Sequence, residues 1–173
     1  MRLLQLEETP PRVQELLNSE LAFLVLFLLC ILEGGMMLRF IPSELVVPSA
    51  LLLVGSTVPE VVTIITVAVA GTTVGQLILF LVVRRAGKGF LIRSRWIPVD
   101  EDRVDRFAVW FDRWGIVAIP VSNTMPFVRG LLTVPAGLSG LSWRRFALLS
   151  ALGTTSFQTI LTGVYLYTDQ VLV

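Results

Sequence analysis

Three ionisable side chains, Glu33, Glu44 and Arg129, stand inside otherwise apolar sequence. A charge within hydrocarbon is costly, so such a residue marks a functional site by default. The arginine stays charged, and its planar fork matches the oxygens of phosphate or carboxylate. Desolvation disfavours the charged form of a carboxyl, so Glu33 and Glu44 are candidates for proton coupling or for counter-charges. Plainer readings stand beside these. Glu33 could face water at a helix end, and Glu44 and Arg129 could form a structural ion pair. The last two uses are compatible, because a ligand phosphate could displace the carboxylate from the arginine. Histidine is absent, which removes Ser–His–Asp catalysis and histidine metal sites. With no acidic metal cluster either, no catalytic residue, metal or cofactor is expected, and the chain reads as something other than an enzyme.

The elements that must position these charges are unusual. Glu44 lies in Phe40–Ser56 and Arg129 in Thr124–Leu141, and each stretch contains two prolines, Pro42 and Pro48 in the first, Pro126 and Pro135 in the second. They are too broken for ordinary membrane spans and too apolar for ordinary loops. Helices interrupted at membrane depth line a cavity, and a matched pair in two halves of a chain points to a substrate site. Composition agrees. Hydrophobic residues make up 54% of the 173, charged residues only 16%, and the mean hydropathy is +0.79. Soluble domains carry about 25% charged residues. The formal net charge of +1 supplies no basic domain for nucleic acid. The single cysteine, Cys30, forms no intramolecular disulfide.

Residues 1–19 mix charges with leucines and predict a short interfacial segment, without the pattern of a cleavable signal peptide. Residues 20–173 read as a single membrane domain. From Leu21 to Leu32 every residue is apolar, and continuation through Glu33-Gly34-Gly35 to Met36-Met37-Leu38 gives a first span. Val61–Val83 is a second, uncharged, with Pro59-Glu60 as its start. Arg84, Arg85, Lys88, Arg93 and Arg95 follow it, and such a cluster marks the cytoplasmic side and suits anionic lipid headgroups. Glu101–Trp114, behind Asp100 as N-cap, places Val104, Phe107, Ala108, Phe111 and Trp114 on one face, an amphipathic helix for the membrane interface. The segment 116–141 then starts and ends beside cytoplasmic arginines, so it is re-entrant, and Phe146–Thr168 forms a third span. The segment 40–56 must enter from the opposite face. The expected architecture is therefore all-α: three main spans and two opposed re-entrant hairpins in an inverted repeat, with the N-terminus cytoplasmic and the plasma membrane as location. Gly71-x-x-x-Gly75 suits close helix packing. Gln76 needs a polar partner, and Thr72, Thr73, Thr154, Thr155, Ser156, Gln158 and Thr159 are expected to stitch helices or bond backbone rather than bind ligand.

In order, Glu33, Pro42-Ser43-Glu44 with Pro48, Gly71-x-x-x-Gly75, Phe80 and Arg84-x-x-Gly87 resemble the DedA family, also called the SNARE-associated or VTT domain. Phe111-x-Arg113-x-Gly115, then Pro126-x-x-Arg129 before Pro135-Ala136-Gly137, continue the resemblance, which runs from Leu32 to Tyr167. It implies two opposed re-entrant hairpins in a helical bundle and movement of lipids across the bilayer. In bacteria the implied cargo is a polyprenyl-phosphate carrier, in eukaryotic relatives phospholipid, with dependence on proton-motive force. Arg129 would bind the phosphate. The family's loop often places a second arginine where Asn123 stands, so Asn123 would offer a neutral hydrogen bond instead. Gln76, Phe80 and Val83 also depart from the family's pattern, and the chain ends at Val173 where many members carry a further span. The expected partners are membrane lipids bearing phosphate, with a homo-oligomer left open. An ion-coupled transporter of small solutes and a non-transporting trafficking or homeostasis protein are the rival readings.

Overall fold

The structure, a computed structural model, describes residues 20–37, 43–54, 57–93, 101–125 and 129–172. Those residues are predominantly helical, joined by short turns and without a strand. The helices are α1 (Glu20–Gly34), α2 (Ser43–Val54), α3 (Val58–Arg93), α4 (Glu101–Trp114), α5 (Ala118–Thr124), α6 (Thr133–Leu138) and α7 (Trp143–Leu172), and a 3₁₀ turn at Gly115–Val117 leads into α5. The N-terminal segment 1–19, Asp100, Pro42, Pro126 and the Lys88 side chain lie outside the described residues.

The central element is α3, which packs against α1, α2, α6 and α7. It starts as half of a capping box: the Thr57 N–H donates to Glu60 Oε2 at 2.9 Å, and the Val61 N–H to Thr57 O at 2.9 Å. Its apolar part ends at Gly87, whose φ of 74° leaves the helical region. At that end Arg84 Nη1 donates to Leu141 O at 3.0 Å, which ties the end of α3 to the start of α7, so the two run antiparallel. Val58–Gly87 and Trp143–Thr168 are long and apolar enough to cross a membrane. Leu148, Leu152, Ile160 and Val164 are exposed along α7, as lipid-facing residues would be.

Two expectations need correction. The first apolar helix is shorter than a full span, because α1 stops at Gly34 rather than running on to Leu38. The Met37 N–H donates to Leu32 O and the Met36 N–H to Glu33 O, both at 2.9 Å, the paired bonds of a Schellman turn. The left-handed position goes to Met36, with φ 59°, where glycine is usual; its side chain packs on Leu79, Val83 and Val134, which offsets the strain. The second correction concerns Pro48, which does not interrupt its stretch. It lies inside α2, where it removes only the N–H that would have bonded to the Glu44 carbonyl. Pro120 and Pro135 sit in the first turns of α5 and α6, where an N–H has no helical partner anyway.

The core divides by level. Leu26, Cys30, Val47, Leu51, Ile64 and Ala68 fill one end between α1, α2 and α3. Phe80 stacks on Phe146 at 4.4 Å between ring centroids at the other. Phe111 of α4 is buried in that second cluster, with Trp110 packed partly against it, whereas Trp114 is exposed.

Candidate functional site

Close approach of α1 to α3 builds the site. Gly71 and Gly75 face α1: a Cβ on Gly71 would lie 2.7 Å from the Phe27 carbonyl oxygen, and one on Gly75 would strike Ile31 O. Gly34 faces the Thr72 backbone in the same way. With these three side chains absent, the helices touch backbone to backbone, and Glu33 in the last turn of α1 reaches Thr72 on α3.

Thr72 lies midway along the apolar length of α3 and is fully buried. Its hydroxyl donates to Glu33 Oε2 at 3.0 Å and accepts from Arg129 Nη2 at 3.2 Å. Arg129 Nη1 stands 3.6 Å from Glu33 Oε1, an ion pair with the arginine side chain 4% exposed and the glutamate 13%. From α7, the Phe157 ring lies 4.6 Å beneath the guanidinium carbon, a cation–π contact. The pair is nonetheless incompletely satisfied. Arg129 Nε and Nη1 are buried and make no hydrogen bond among the described residues. A buried donor without an acceptor costs about 1–3 kcal/mol, more when charged. Thr72 holds the guanidinium through Nη2, and Nη1 faces Glu33 Oε1 at ion-pair rather than hydrogen-bond distance.

One turn along α3, Gln76 forms a second polar cluster of different character. Its Nε2 donates to Asn123 Oδ1 at 3.1 Å, and Asn123 Nδ2 donates back to Gln76 Oε1 at 3.0 Å. Asn123 Nδ2 also reaches Ser150 Oγ at 3.3 Å, and the Gly130 N–H donates to Asn123 Oδ1 at 3.1 Å. Ser150 Oγ in turn donates to Gln76 Oε1. Asn123 thus spends both donors and both acceptor positions inside the bundle. Gly130 has φ 78°, a value that favours glycine, and so turns its N–H onto Asn123 one residue after Arg129.

Of the residues singled out from sequence, Glu33 and Arg129 are brought together, and Asn123 lies one turn away on the inner side. Among the described residues Arg129 pairs with Glu33 and not with Glu44, which occupies the first turn of α2. Arg84 and Arg85 are exposed at the far end of α3. Sequence reasoning treated Thr72 only as a packing hydroxyl; its place four residues before Gln76, at mid-span, was the available signal. Phe157 carried no signal, since a phenylalanine in an apolar helix is ordinary.

Buried charge at mid-depth, held between two helices long enough to cross a bilayer, defines a helical membrane protein with an internal polar site. The VTT domain matches residues 41–166, well over half of the chain, and the chain belongs to that family, the DedA family. It is 28% identical over 152 residues to undecaprenyl phosphate transporter A of Staphylococcus aureus, covering 84% of this chain and 74% of that protein. The Bacillus subtilis protein of the same name is 25% identical over 119 residues, covering 68% and 60%. Inner membrane protein YghB of Salmonella typhimurium is 27% identical over 142 residues, covering 82% and 65%. The chain thus spans less than two thirds of the length of the latter two. No solved structure gives a significant match.

Proposed function

We propose that this protein moves a phosphate-bearing lipid, a polyprenyl phosphate or a phospholipid, between the leaflets of the plasma membrane. The observation that carries the reading is Arg129: a guanidinium buried midway along the apolar helices, with Nε and Nη1 making no hydrogen bond among the described residues. A phosphate supplies the missing acceptors in the bidentate geometry that arginine favours. The names of the two transporter relatives supply the lipid class.

In this reading 40–56, which holds α2, and 116–141, which holds α5 and α6, are the two opposed re-entrant hairpins of an inverted repeat, set among α1, α3 and α7, with the N-terminus cytoplasmic. Glu33 occupies the arginine when no lipid is bound. An arriving phosphate takes over Nε and Nη1, and the released carboxyl accepts a proton, which couples lipid movement to the proton gradient. Glu44 is a second counter-charge at the start of α2. Asn123 contributes by fixing the turn that carries Arg129, and Arg84, Arg85 and Lys88 gather anionic headgroups at the cytoplasmic surface.

The test uses proteoliposomes containing a fluorescent polyprenyl phosphate, whose outer-leaflet label is bleached by an impermeant reductant. Wild-type protein should expose the inner-leaflet pool, and Arg129→Ala, eluting normally on gel filtration, should fall to the protein-free rate. Transport by Arg129→Ala at the wild-type rate sinks the proposal.

A further inference from the structure

The inner face of α7 carries a row of polar residues at four-residue spacing: Ser150, Thr154, Gln158 and Thr162. All are buried, at 0%, 0%, 2% and 3% exposure. Only Ser150 is bonded, within the Gln76–Asn123 cluster. Thr154 Oγ1, Gln158 Oε1 and Thr162 Oγ1 have no hydrogen-bond partner among the described residues. The hydroxyls of Thr154 and Thr162 do not even fold back onto the helix. The outer hydroxyls of the same helix do: Thr155 bonds to Ala151 O, Ser156 to Leu152 O and Thr168 to Val164 O, at 2.8, 3.1 and 2.8 Å.

An isolated polar atom without a partner is a packing cost. Three in one row, on the helix whose Phe157 supports the guanidinium, call for water or a ligand as their partner. From Ser150 to Thr162 the row advances twelve residue steps, about 18 Å of helix at about 1.5 Å per residue. Its Ser150 end is tied into the amide cluster, and from there the row runs beside Phe157, the ring under Arg129, to Thr162. Neutral hydroxyl and amide groups also suit passage, since they hydrate an anion without trapping it as the arginine does.

The geometry points to a hydrated track along Thr154, Gln158 and Thr162, open toward the C-terminal end of α7 and closed at Ser150, along which a phosphate headgroup reaches Arg129. The headgroup as occupant rests on the proposed function; the hydration does not. Single cysteines at Thr154, Gln158 and Thr162, in a Cys30→Ala background in lipid nanodiscs, are exposed to a water-soluble methanethiosulfonate. Cysteines at the exposed positions Leu152, Ile160 and Val164 serve as lipid-facing controls. The three inner sites should react at least ten-fold faster than the outer three, and equal or slower reaction overturns the track. If a cysteine variant fails to fold, Thr154→Val, Gln158→Leu and Thr162→Val decide. A track predicts several-fold slower lipid movement, whereas raised stability with unchanged transport overturns it. Fast labelling with an Arg129→Ala protein that still transports would remove the phosphate reading and leave the track. A dry row with an inactive Arg129→Ala would do the reverse.

Discussion

Two buried polar clusters sit one helical turn apart on α3 and treat their hydrogen bonds in opposite ways. At Gln76 the amides of two side chains bond reciprocally, Ser150 and the Gly130 N–H take the remaining positions, and Asn123 is saturated. At Thr72 a charged pair is held by one hydroxyl and one aromatic ring, and two arginine nitrogens are left over. A closed network rigidifies the chain around it. An open one at the same depth keeps capacity for a ligand. In the proposed function the neutral cluster is the brace and the charged cluster the binding site, although both look like polar residues stranded in apolar sequence.

The largest expected effect comes from breaking the closed cluster. Asn123→Leu orphans the Gln76 amide and the Gly130 N–H in a buried position, at about 1–3 kcal/mol for each group. Unfolding of the purified protein should show a loss of about 3 kcal/mol or more. Adding Gln76→Leu removes the orphaned amide as well, so the double variant should be less destabilised than the sum of the two singles, by about 0.5–3 kcal/mol of coupling. Strict additivity would mean that the amides do not act as a pair.

The open cluster should respond in the opposite sense. Replacing Glu33 and Arg129 together, as Glu33→Gln with Arg129→Met, removes a buried ion pair whose desolvation cost rivals its attraction. Such replacements are commonly neutral or stabilising by about 1–4 kcal/mol. The double variant should therefore unfold no earlier than wild type while lipid movement is lost. A protein that unfolds markedly earlier would make the charged pair part of the brace.

How far each cluster was legible in sequence follows from the same contrast. Hydropathy located α3 and α7, and the Glu101–Trp114 periodicity gave α4 to the residue, because long elements average over many side chains. Glu33 and Arg129 stood out because charge is rare in apolar sequence. Their pairing did not, since it depends on Gly34, Gly71 and Gly75 letting α1 approach α3, and on a turn after Gly34 that puts Met36, not glycine, in the left-handed position. From sequence, a structural pair of Arg129 with Glu44, the acid in the matching proline-broken stretch, stood as one alternative to a substrate role; among the described residues the partner of Arg129 is Glu33. Asn123 was noticed as a departure from the family's arginine, yet its partner Gln76 is 47 residues away. Nothing local announces that two neutral amides in different halves will bond to each other.

Thr72→Val probes the open cluster with a smaller change. The hydroxyl bonds to both charged groups, and hydrogen bonds to charges contribute about 1.5–3 kcal/mol. The residue keeps its shape, so packing against α1 is retained. Lipid movement in proteoliposomes should slow several-fold, with the bundle still folded, because Arg129 loses the group that aims it. Transport at the wild-type rate would show that Glu33 and Phe157 orient the guanidinium without help.

The smallest effect belongs to Thr155→Ala, one residue beyond the unpartnered Thr154. Both are threonines in the middle of α7, and sequence gives no reason to separate them. Thr155 faces outward and spends its hydroxyl on the Ala151 carbonyl, a bond that adds nothing the helix lacks and slightly disfavours it. Its removal should change stability by no more than about 0.5 kcal/mol and leave lipid movement as it was. Thr154→Val, by contrast, should alter transport while leaving the helix backbone untouched. Parallel measurements of stability and transport on this adjacent pair separate the effect of facing inward from the effect of being threonine. If Thr155→Ala impaired transport as much as Thr154→Val, the two faces of α7 would be equivalent, and the distinction between satisfied and open polar groups would not predict function.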